Sequence, residues 1–138
     1  MRVKLPFVCA VLVCAVLVAS ISAFAHHSTA MFDMRNPITL TGTIKSFDWA
    51  NPHCFFHLEI SSADGTMELW DVETHSISLL ARKGWTRTSF KPGETITVTG
   101  GRMRNGAKMI RLLRGTAASD GWKFFGDDFG DSKPRGAK

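Results

Sequence analysis

Pro37-Ile38-Thr39-Leu40-Thr41-Gly42-Thr43-Ile44-Lys45-Ser46-Phe47-Asp48-Trp49 opens with a period-two alternation of apolar and polar residues, the pattern of a half-buried strand. Ile38, Leu40, Gly42 and Ile44 share one face; Thr39, Thr41, Thr43 and Lys45 share the other. After Ile44 the apolar phase slips to Phe47 and Trp49. A one-residue slip within a strand is what a bulge produces, and Gly42 eases a sharp bend. The stretch therefore predicts a long, bent first strand that serves two halves of a small barrel.

Working outward, Asn51-Pro52 ends that strand, and His53 to Ile60 begins the next. Cys54, Phe56, Leu58 and Ile60 fall on its apolar face, with His53, Phe55, His57 and Glu59 opposite. Ala63-Asp64-Gly65 is a hairpin turn signal, so Met67 to Glu73 pairs back as a third strand. A short helix follows: Ser76 can cap it, Ile77, Leu80 and Ala81 form its stripe, and Gly84 stops it. Lys91-Pro92-Gly93-Glu94 turns into a fourth strand, Thr95 to Gly100, and Arg104-Asn105-Gly106 turns into a fifth, Lys108 to Arg114. This order predicts an all-β chain, a small OB-like five-stranded barrel with one short helix between strands 3 and 4. An antiparallel sandwich is the alternative, and the lone helix argues against it. The expected segments are a signal peptide over 1–25, an extended lead-in over 26–37, the barrel over 38–115, and a partly disordered extension over 116–138. In that extension Trp122, Phe124 and Phe125 are candidates for an edge strand or a cap on the barrel.

Arg2 and Lys4 precede an almost wholly apolar run from Leu5 to Ile21, and Ala23-Phe24-Ala25 forms an A-x-A cleavage site. The expectation is export to the periplasm or medium with cleavage after Ala25. The apolar run exceeds the usual signal length, so a retained anchor is the alternative. Cleavage removes two basic residues and no acidic one. The 17 basic and 12 acidic residues of the whole chain then become 15 and 12, a net charge of +3. Such a modest charge on an exported protein does not call for a nucleic-acid partner. Two of the three cysteines lie in the signal, which leaves Cys54 without an intrachain disulfide partner. Its apolar phase makes it a core thiol.

Cleavage after Ala25 would make His26 the first mature residue, offering an α-amine and an imidazole together. That pair suits Cu(II), which prefers tetragonal nitrogen ligation. His26, His27, His53 and His75 are the candidate metal ligands, with Glu73 as a carboxylate behind an imidazole. His53 and His57 share a strand face but stand about 13 Å apart at roughly 3.3 Å per residue, too far for one ion. Trp49 and Phe55 are the candidates for a ligand-binding aromatic surface, although tryptophans in a domain this small mostly pack inward. The sequence contains no H-E-x-x-H, no C-x-x-C, no nucleophile elbow and no phosphate-cradling glycine loop.

Several motifs together resemble a family of small exported bacterial proteins known only as a domain of unknown function. They are His26-His27-Ser28, Leu40-Thr41-Gly42-Thr43, Phe47-Asp48-Trp49-Ala50-Asn51-Pro52-His53, Leu80-Ala81-Arg82-Lys83-Gly84-Trp85-Thr86-Arg87 and Ser89-Phe90-Lys91-Pro92-Gly93-Glu94. The resemblance runs to about Leu112. It implies an exported single domain with an OB-like barrel, sets His26, His27 and His53 in motif positions, and brings no established activity. The reading is then a non-catalytic binding module of unknown ligand, holding copper first and zinc second. The alternatives are a metal-free module for a protein or small ligand, with no nucleic acid and no stable membrane span after cleavage, and a copper-dependent redox enzyme.

Overall fold

The computed structural model describes residues 29–124; the expected signal segment, His26, His27 and the tail from 125 lie outside the described residues. A short 3-10 turn, Thr29–Met31, leads into six strands: β1 (Phe32–Asp48), β2 (Phe55–Ser61), β3 (Met67–Glu73), β4 (Thr95–Met103), β5 (Met109–Ala117) and β6 (Lys123–Phe124). The helix α1 (Ile77–Arg82) lies between β3 and β4 in the chain. The sheet order is β3-β2-β1-β4-β5-β6, and a further pairing joins β3 to β5. That last pairing is parallel, Asp71–Glu73 against Met109–Arg111, and it closes β1 to β5 into a ring of ladders.

The first strand behaves as its sequence phase requires. Its register against β2 shifts between Ile44 and Ser46, so the slip of apolar phase is a bulge at Lys45. Gly42 is needed for close approach: a Cβ there would stand 2.8 Å from Ile60 Cγ1 and 2.9 Å from the Glu59 carbonyl oxygen. Up to Thr43 the strand pairs with β4, and from Thr43 onward with β2. One strand thereby serves two neighbours.

The buried residues follow the predicted phase. Ile44, Cys54, Phe56, Leu58, Val72, Ile96 and Val98 are at most 1 % exposed, and Trp70 and Trp85 are core residues. One side of the core is aromatic. Phe56 and Phe90 meet edge to face with centroids 4.7 Å apart, and Phe124 lies 5.1 Å from Phe90. Helix α1 contributes the buried Leu80 and stops at Gly84, whose φ of +78° lies in the left-handed region. Ser76 stands at the N-cap without a capping bond; its hydroxyl pairs with that of Ser78 instead.

Three boundaries are corrected. β1 begins at Phe32, not Ile38, because β4 runs on to Met103 and supplies partners for Phe32 and Asp33. The lead-in from Phe32 onward is therefore strand. The sheet does not end at 115: β5 continues to Ala117, and β6 pairs with it at Gly115 and Thr116. Phe124 is fully buried over Gly115, where a Cβ would come within 2.3 Å of its ring. The edge strand expected around Phe124 is thus present as β6, and it closes the core. Among the described residues no helix is long and apolar enough to cross a membrane.

Candidate functional site

The parallel β3–β5 ladder sets Glu73 opposite Arg111, and the β2–β3 ladder sets Phe55 opposite Glu73. Three strands therefore deliver side chains to one rim. Glu73 Oε1 accepts from Arg111 Nη1 and lies 3.1 Å from His53 Nδ1. Arg111 Nη2 lies 3.2 Å from His75 Nδ1; a guanidinium can only donate, so that nitrogen accepts. The side chains of His53, Glu73 and Arg111 are 24 %, 15 % and 12 % exposed, deep enough for the charges of Glu73 and Arg111 to be weakly screened. The backbone ties the same residues: Cys54 N donates to the His75 carbonyl, and Thr74 N donates to that of Cys54.

The electrostatics separate the histidines. Burial, then the charges of Arg111 and His53, push the His75 pKa down to about 4, so it is neutral at physiological pH. His75 stands behind Arg111 as its acceptor. His53 is instead held at Nδ1 by Glu73, a contact that fixes the orientation of the ring.

Beside this cluster is a pocket of about 100 Å³ lined by Thr29, Met31, Phe32, His53, Glu73, Met103 and Arg111. Sites for drug-sized ligands occupy roughly 300–1,000 Å³, so this one suits an ion or a very small molecule. The segment entering β1 forms part of its wall. Among the described residues no group of three or more His, Cys, Asp or Glu side chains could hold a metal by itself. His53, Glu73 and His75 are brought together, and His26 and His27 lie outside the described residues.

The other sequence candidates sit elsewhere. Trp49 packs partly buried against the core, edge to face with Phe47 at 5.9 Å. Phe55 stacks on His57 with centroids 6.5 Å apart. Cys54 is fully buried, its Sγ 3.6 Å from the Ala50 carbonyl oxygen, and burial raises its thiol pKa. Arg111 goes unmarked in the sequence, and His57 figures there only as too far from His53 to share an ion. Arg111 reads as an ordinary outward charge between Ile110 and Leu112, and only its parallel pairing reveals its partner. His57 is clamped, with Nδ1 2.6 Å from Asp71 Oδ1 and Nε2 3.1 Å from Asp48 Oδ2.

The geometry defines an all-β domain with a small pocket of mixed polar and apolar lining at one rim. The chain matches the family of unknown function DUF6152 over residues 13–111 and belongs to that family. No curated protein matches it. Among solved structures it is similar to the mitochondrial single-stranded DNA binding protein Rim1 from S. cerevisiae. That likeness has 9 % identity and a TM-score of 0.46, covering 60 % of this chain and 93 % of that one. A second form of Rim1 gives 8 % identity, a TM-score of 0.46, and coverage of 60 % and 92 %. A complex of TiaS with a tRNA and ATP gives 14 % identity and a TM-score of 0.44, with 62 % of this chain against only 19 % of that one.

Proposed function

We propose that this chain is an exported, non-catalytic binding module on an OB-type barrel that holds a transition metal, copper before zinc. In the mature periplasmic protein the ligands are His26, with its freed α-amine, His27 and His53. Glu73 orients the His53 imidazole, and Arg111 holds Glu73. The observation that carries this reading is the shared wall of the pocket, where Thr29 meets His53. His27 precedes Thr29 by two residues, a reach of about 7 Å for extended chain. Two imidazoles and a terminal amine make a nitrogen-rich set suited to Cu(II).

The test is Cu(II) titration and EPR of protein secreted with its native cleaved start. One control carries an extra residue before His26, and the other is His53→Ala. Stoichiometric binding with nitrogen hyperfine structure, lost in both controls, is the expected result. Weak binding that ignores both controls overturns the metal reading and leaves a module for a protein or metal-free ligand.

A further inference from the structure

The same pocket contains two donors that a Cu(II) site does not require, the thioethers of Met31 and Met103. Met31 is 51 % exposed, so its side chain is not spent on filling the core. Its backbone is nevertheless fixed. Arg104 N donates to the Met31 carbonyl at 2.9 Å, and Arg104 Nε donates to that of Ala30 at 3.1 Å. The next residue, Phe32, is buried and stands opposite Met103 in the β1–β4 ladder. Met31, at the end of the 3-10 turn, and Met103, opposite Phe32 in the ladder, therefore line the same pocket as His53.

We infer that the pocket bounded by Met31, Met103 and His53 is a Cu(I) site, with two thioethers and one imidazole as its donor set. Soft thioether sulfur selects Cu(I) over harder divalent ions, while imidazole serves either oxidation state of copper. Charge points the same way. Arg111 lines the pocket, and its repulsion of a monovalent cation is half that of a divalent one at the same distance. The pocket's small volume fits a bare ion with few ligands. The inference rests on the reading of this rim as a copper site, and differs from it in using only described residues.

The test compares wild-type mature protein with Met31→Leu/Met103→Leu, and with Met67→Leu, a 60 % exposed methionine on β3 that serves as control. Cu(I) affinity is measured anaerobically by competition with a colorimetric Cu(I) chelator, and Cu(II) affinity by EPR titration. The double variant is expected to lose at least tenfold in Cu(I) affinity with Cu(II) affinity unchanged, and Met67→Leu to change neither. Methionine-methyl NMR of the wild type with Ag(I), a redox-inert stand-in for Cu(I), needs no variant to fold. It should shift Met31 and Met103 and leave Met34, Met67 and Met109 in place. Unchanged Cu(I) affinity in the double variant, or equal shifts at all five methyls, overturns the thioether site. Cu(I) binding that persists while Cu(II) binding ignores His26 retains the thioether site and removes the terminal-histidine ligand set alone.

Discussion

His53, just before β2, and His57, within it, lie four residues apart on the same outward phase, yet the fold gives them opposite settings. His57 stands between two carboxylates, Asp48 from β1 and Asp71 from β3, which satisfy both ring nitrogens. Burial works against its charge, but hydrogen bonds to Asp48 and Asp71 and their negative charge outweigh it and raise the pKa above 6.5. His53 shares the Glu73 carboxylate with Arg111. A histidine between two carboxylates binds its proton more tightly and braces three strands. One that shares its carboxylate with an arginine sits instead at the rim, lining the pocket. Spacing and residue type are the same; the partners brought by other strands differ.

The largest expected effect comes from breaking the rim. Arg111→Leu leaves the largely buried Glu73 carboxylate without its guanidinium and costs about 3 kcal/mol in urea denaturation. Adding Glu73→Gln to that variant should recover a substantial part of the loss. A midpoint that does not move in the single variant would mean the rim pair contributes nothing to stability.

Next is the clamp. Because the folded pKa of His57 is raised, its stabilisation is fully present below about pH 6.5 and is lost as pH rises through the folded value. His57→Leu should therefore cost about 1 kcal/mol near pH 6 and progressively less in alkaline solution. In NMR titration, wild-type His57 should have its midpoint above 6.5, and Asp48→Asn with Asp71→Asn should bring it to 6.5 or below, since burial then acts unopposed. A loss on His57→Leu that grows with pH contradicts the clamp. The smallest effect belongs to Lys45, the bulge residue, whose ion pair with Glu59 spans 3.5 Å between well-exposed side chains. Lys45→Ala should change stability by no more than about 0.5 kcal/mol, and less in high salt.

Local signals were readable without a fold. The slip at Lys45, the inward phase of Cys54, the Gly65 turn and the extent of β3 each depend on a few adjacent residues. The site was half legible. His53, Glu73 and His75 stand out as chemical types, whereas Arg111 resembles any solvent-facing strand cation. The first residues of β1 read as lead-in because their partners, Arg102 and Met103, are distant in sequence, whereas Phe124 stands out as an edge-strand candidate and its partner Gly115 is close in the chain.

By itself, then, the sequence determined the first five strands, the core phase and the short helix, and marked Phe124 as an edge-strand candidate, since alternation and turn chemistry act between near neighbours. Only the tertiary structure decided the parallel β3–β5 closure. With it came the meeting of Glu73 with Arg111, the carboxylate clamp on His57, and the pocket that sets Met31 beside His53 and Met103. Those contacts join residues at least nine positions apart, and outward-facing polar side chains carry no local mark of which strand will lie beside them.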